Sequence, residues 1–173
     1  MIFTGFKRKS NQNFFNRRQS KLIKKKSVVS SRKIKNTLVI CDDYSQKEKI
    51  QKELVETLRI ANNDIVWVFY QQKITKELVS DEIITPKDFG WYGKIKSEKL
   101  KNILTNKYDL LINYSKIDNI YINVLLLHCK VGFKAGFSHL DNRLYDLLIN
   151  CKSDYLSLFT KELKKYLTIL KKV

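Results

Sequence analysis

The amino-acid sequence predicts an α/β fold: a three-layer sandwich with a mostly parallel sheet of five or six strands, preceded by a basic helical arm. Three observations lead there. Short apolar runs rich in β-branched residues alternate with stretches in which apolar residues recur every three or four positions. The connections between them are short, and strand–helix–strand repetition of this kind gives parallel strands with helices on both faces. The third observation divides the chain. Residues 1–36 hold 12 of the 34 cationic residues and no Asp or Glu, whereas residues 37–173 hold the other 22 against 17 acidic residues, a net of +5. We read 1–36 as the arm and 37–173 as a single α/β domain.

The elements follow in order. Thr37–Asp42 is a buried-strand run, and Ser45 with Glu48 three positions on has the pattern of a capping box that opens a helix through Ile50, Leu54 and Leu58. Asp64–Tyr70 (DIVWVFY) does not alternate, as expected of a strand covered on both faces. A short strand over Glu82–Thr85 precedes the only proline. TPKDFGWYGK (Thr85–Lys94) carries two of the five glycines and three aromatics and reads as an ordered loop. Ser97 opens a short helix, Tyr108–Tyr114 is the next strand, and Ser115 with Asp118 offers another helix start before the apolar run Tyr121–Cys129. Val131–Phe137 and Tyr145–Cys151 are strands, and Ser153 opens a terminal helix carrying Leu156, Phe159, Leu163 and Leu167. YDLLIN occurs at 108–113 and again at 145–150, which we take as two strands of one type. The sheet is Rossmann-like or flavodoxin-like.

Hydrophobic residues make up 43% of the chain, yet no apolar run is long enough to span a bilayer and the N-terminus lacks a secretory h-region, so a cytoplasmic protein is expected. Cys41, Cys129 and Cys151 are far apart with no C-x-x-C spacing and read as reduced, buried thiols. The net charge of +17 rests on 28 Lys and 6 Arg. Lys, Ile and Asn are what an AT-rich coding sequence favours, so the position of the charge matters more than its total.

A nucleotide site after the first strand needs glycines that let backbone approach phosphate. CDDYSQKEK has none, and Asp42 and Asp43 would repel phosphate there. No metal site and no cofactor are implied. His128 reads as a half-buried helix residue and His139 as a loop residue without a nucleophile at a defined spacing. Asp42 and Asp43 ending the first strand resemble the acidic pair of response-regulator receiver domains. In that family a later strand ends in a phosphate-accepting Asp. Asn113 stands there and cannot form an acyl phosphate, with Lys134 and Ser138 loosely matching the remaining roles.

Two further resemblances are carried by longer stretches. YDLLINYSKIDNIYINVLLLHCKVGFKAGF (Tyr108–Phe137) is similar to the sugar-acceptor half of heptosyltransferase-type glycosyltransferases. These enzymes have two Rossmann-like halves, so the resemblance implies the fold without the transferase. LVICD (38–42), KDFGWYGK (87–94), YDLLINYS (108–115), FKAGF (133–137) and YDLLI (145–149) together resemble an uncharacterised family of small basic Rossmann- or flavodoxin-like proteins best represented in Bacteroidota. That resemblance implies a basic N-terminal helix and no established activity.

The arm contains Lys7, Arg8, Lys9, Arg17, Arg18, Lys21, Lys24, Lys25, Lys26, Arg32, Lys33 and Lys35, interleaved with Phe3, Phe6, Phe14 and Phe15. Four readings stay open: nucleic-acid binding, contact with a membrane surface, a removable presequence, or a helix lying back on the domain with its basic face solvated. We expect the first, a non-enzymatic RNA-binding protein associated with the ribosome, because twelve cations without an anion repel one another unless a polyanion is present. Trp91, Tyr92 and Lys94 would add stacking and phosphate contacts. The alternative is a small-molecule or degenerate enzyme site at the strand ends, built from Asp42, Asp43, Ser115 and Ser138.

Overall fold

The structure, a computed structural model, describes residues 2–22, 33–73 and 80–173. Helix α1 spans Ile2–Leu22, and then come β1 (Thr37–Cys41), α2 (Lys47–Leu58), β2 (Ile65–Tyr70), β3 (Ile83–Ile84), α3 (Glu98–Thr105), β4 (Lys107–Asn113), α4 (Ile120–His128), β5 (Lys130–Phe137), β6 (Leu147–Ile149) and α5 (Leu156–Ile169). The six strands form one sheet in the order β3-β2-β1-β4-β5-β6, and every pairing is parallel. This is the order of the doubly wound dinucleotide fold, with its reversal point between β1 and β4, and not the 2-1-3-4-5 order of flavodoxin.

Alternate strand residues feed two cores. Val39, Trp67, Phe69, Leu110 and Ile112 pack with Ile50 and Leu54 of α2 and Phe159 and Leu163 of α5. On the other face Leu38, Ile40, Val68 and Leu111 pack with Leu100 of α3, Ile122, Val124 and Leu125 of α4, and Phe15 of α1. The first half of the basic segment is therefore a helix seated on the domain. Among the described residues no helix is long and apolar enough to cross a membrane.

The helix starts differ from the sequence reading. Asp43, not Ser45, is the capping residue, accepting a bond from the Ser45 amide to open a 3-10 turn over Tyr44–Gln46. Helix α2 then begins at Lys47 without a side-chain cap, and Glu48 makes no capping box. Among the described residues the one complete capping box is at Thr85 and Asp88, where a proline opens a single 3-10 turn. Ser115 and Asp118 do not start α4, whose cap is Asn119. Ser153 likewise lies short of α5, which begins at Leu156. Only at α4 does a loop residue nearer the helix, Asn119, reach a first-turn amide; α2 and α5 both begin without a side-chain cap.

Candidate functional site

Helix α1 is held by polar contacts. Lys7, Ser10, Asn11, Phe14 and Phe15, at the i, i+3, i+4, i+7, i+8 spacing of one helical face, are the half-buried and buried residues of its described part, 5–18. They meet the segment from Pro86 to Lys94. That segment is a small hairpin: Phe89 and Ile95 bridge antiparallel, the Gly90 amide donates to the Lys94 carbonyl at 2.6 Å, and Tyr92 and Gly93 at the tip both have positive φ, +52° and +72°. Two positive φ values identify a type I′ turn, whose backbone twist suits a two-residue hairpin. Helix α1 binds the backbone of this tip. Ser10 Oγ accepts the Tyr92 amide at 3.0 Å and Asn11 Oδ1 accepts the Gly93 amide at 2.8 Å. Asn11 Nδ2 donates to the Gly90 carbonyl at 3.0 Å, and Lys7 Nζ donates to the carbonyls of Pro86 and Phe89. The Phe14 ring lies where a Gly93 side chain would project and stacks on His128, whose Nε2 donates to the Gly93 carbonyl at 2.9 Å.

This seat orients the outward surface. Arg8, Lys9, Arg17 and Arg18 are exposed on α1, as is Lys94 on the hairpin. Trp91 is 42% exposed and Tyr92 71%, whereas Phe89 is fully buried beside Tyr121 and fills the role of an aromatic plug. Tyr92 shares a shallow depression with Phe14, Arg17 and Arg18. Because α4 runs back from the carboxyl end of a parallel strand, His128 and the hairpin tip lie toward the amino ends of the strands. Lys33 and Lys35 are exposed just before β1, and the exposed Lys107 and Lys130, opposite each other at the starts of β4 and β5, share that end. Neither Lys107 nor Lys130 is conspicuous in the sequence, since only strand register pairs them. Lys21 lies in the last turn of α1, and Lys24, Lys25, Lys26 and Arg32 lie outside the described residues.

The sequence matches the family of unknown function DUF6913 over residues 7–170. The chain belongs to this family. The DUF6913 match begins at Lys7, the first residue of the α1 seat, and so takes in both the helix and the hairpin it holds. No curated protein and no solved structure is significantly similar to the chain.

At the carboxyl ends of the strands in this DUF6913 chain, Asp42 and Asp43 sit at the β1/β4 reversal point and both bond to the chain around Lys116. Asp42 accepts the amides of Lys116 and Ile117 at 2.9–3.2 Å, tying the end of β1 to the loop after β4. Asp43 accepts from Ser45 and pairs with Lys116 Nζ at 3.2 Å. Its hydrogen bonds to Ser45, and then Lys116, hold the carboxyl below its usual range. Ser115 is near Asp42 in the chain path but its hydroxyl is buried without a partner, and His139 contacts its carbonyl. Ser138 bonds Asn150 instead. Asn113 bridges Tyr145 and the Ser115 amide. The four residues thus share the carboxyl edge of the sheet, with the two carboxylates saturated by their own chain. Burial pushes the Cys41 and Cys129 thiols up to about 12, so neither is a thiolate near neutral pH.

His128 gives the seat a pH dependence. Burial, assisted by Arg18, holds its pKa below the ordinary 6.5, while the Gly93 bond opposes this. The unfolded chain therefore takes up this proton at higher pH than the folded one. The ring's contribution is complete above the unfolded value and is lost as pH falls through the folded value. The urea midpoint is expected to decrease from about pH 7.5 to about 5.5, and His128→Gln, which keeps an N–H donor, is expected to remove that step.

Proposed function

We propose that the protein is a non-enzymatic RNA-binding protein whose docked basic helix and hairpin tip form one contact surface, with structured ribosomal RNA as the natural target. The observation that carries this reading is Tyr92. A bulky side chain at positive φ costs roughly 1 kcal/mol or more relative to glycine or asparagine, and Tyr92 contributes little burial in return, being 71% exposed. A residue that is costly to the backbone and unused by the core is expected where function needs it. Its ring stands beside Arg17 and Arg18, and Trp91 lies next to it in the chain. Aromatic faces flanked by guanidinium groups suit unstacked bases and their phosphates.

Binding of fluorescent ribosomal RNA fragments that carry hairpins with unstacked loop bases, followed by anisotropy across a salt series, tests this. Tyr92→Asn should leave stability unchanged or raise it by up to about 1 kcal/mol, since Asn favours this turn, while weakening RNA binding about 5- to 100-fold, the worth of one stacked base. Arg17→Glu with Arg18→Glu should weaken binding at least as much and flatten its salt dependence. If wild-type protein shows no salt-dependent binding, or if both variants bind as wild type does, the reading is wrong.

A further inference from the structure

A second site lies at the other end of α1. A cavity of about 680 Å³ opens between the start of α1 and the carboxyl ends of β2 and β3, within the range of ~300–1,000 Å³ usual for small-molecule sites. Four cations line it: Lys7 and Arg8 from α1, Lys73 after β2 and Lys87 after β3. Among the described residues no Asp or Glu lines it, and none of the four is ion-paired. Asp88, the closest acidic residue in sequence, is turned to the amide and hydroxyl of Thr85. The apolar part of the wall is aromatic. Tyr70, the last residue of β2, and Tyr121, in the first turn of α4, stack with ring centroids 6.2 Å apart. Burial raises the pKa of both phenols and the positive charge of Arg8 opposes the rise at each, so the guanidinium is electrostatically close to both rings.

We propose that this cavity binds a nucleoside phosphate, with Arg8, Lys73, Lys87 and the remaining N–H of Lys7 on the phosphates and the Tyr70–Tyr121 wall against the base. Four unpaired cations converging on one concavity repel each other, and a di-anionic group relieves that repulsion. Burial, and then the charge of Lys96, hold the Lys7 ammonium below its ordinary pKa, and the Asp88 carboxylate opposes that shift only in part. The cavity lies on the side where ligands of open parallel sheets bind, outside the carboxyl ends of the strands, but at β2 and β3 and the start of α4 and not at the β1/β4 reversal point itself. No glycine-rich turn takes part; side chains supply what backbone amides supply in phosphate loops. The site is separate from the RNA surface, because Arg17, Arg18 and Tyr92 line a different depression.

Titration calorimetry of the full chain with AMP, ADP, GDP and UDP, alongside adenosine and inorganic phosphate, tests the proposal. At least one nucleotide should bind saturably below about 1 mM, a range typical of metabolite sites, and more tightly than adenosine or phosphate alone. Arg8→Ala with Lys87→Ala, both exposed positions that should not disturb folding, should weaken it at least tenfold. Tyr121→Leu should weaken nucleotide binding more than phosphate binding, and Arg17→Glu with Arg18→Glu should change neither. Absence of nucleotide binding overturns the proposal. Phosphate binding as tightly as every nucleotide overturns the base contact, and loss in the Arg17/Arg18 variant instead of the Arg8/Lys87 variant assigns binding to the RNA surface and overturns the pocket.

Discussion

Gly93→Ala is expected to lower the stability of the fold by about 2–4 kcal/mol. Two costs combine. Alanine at a φ of +72° gives up about 1 kcal/mol of backbone preference. Its Cβ would also overlap the Phe14 ring, an overlap that neither partner can relieve in place. The ring is stacked on His128, and the glycine amide is fixed by Asn11. Overpacking of this kind costs about 1–3 kcal/mol more. Urea unfolding of the single variant and of the pair Gly93→Ala, Phe14→Ala separates the contributions. The pair should be less destabilised than the sum of the two single variants, because removing the ring removes the overlap. A Gly93→Ala protein within about 0.5 kcal/mol of wild type would mean that α1 does not sit on the hairpin as described.

Asn11→Ala should cost about 2–3 kcal/mol. The side chain is fully buried and joins three backbone groups: the Gly93 amide, the Gly90 carbonyl and the Lys7 carbonyl. Alanine leaves the buried Gly93 amide without an acceptor, and an unpaired buried group costs about 1–3 kcal/mol by itself. The loss should also be local. Trypsin should cleave after Arg17 and Arg18 faster in the variant than in wild type, since the seat of α1 is opened. Gln12→Ala, one residue away on the exposed face, is the control and should change neither readout.

The sheet was legible because its strands carry their burial in their composition. Val39, Ile40, Val68, Leu111 and Ile112 lie in runs that do not alternate, as a strand covered on both faces requires. The hairpin was legible only as an ordered loop, since Tyr is not a type I′ residue and nothing local foretells a positive φ at Tyr92. The docking of α1 stood in the sequence as one of four open readings, with nothing to select it. Its inward face presents Lys7, Ser10 and Asn11 to the backbone of a segment about 80 residues away, so no apolar stripe marks it. The aromatics of the helix are scattered among its cations, and of these Phe15 is buried whereas Phe6 is exposed. The second cavity was hidden, because α1, the β2 end, the turn after β3 and the start of α4 each supply part of it. Asp42 and Asp43 were visible in the sequence for their charge, and the structure accounts for that charge with the Lys116 and Ile117 amides, the Ser45 hydroxyl and the Lys116 ammonium.

The most direct test of the RNA surface is ultraviolet crosslinking in intact cells, followed by mass-spectrometric mapping of the nucleotide-modified peptides. The account predicts adducts on the peptide carrying Trp91 and Tyr92, lost in Tyr92→Asn and in Arg17→Glu with Arg18→Glu, and ribosomal sequence among the crosslinked RNA. A chain recovered without any RNA adduct, or modified only at positions away from α1 and the hairpin, would contradict it.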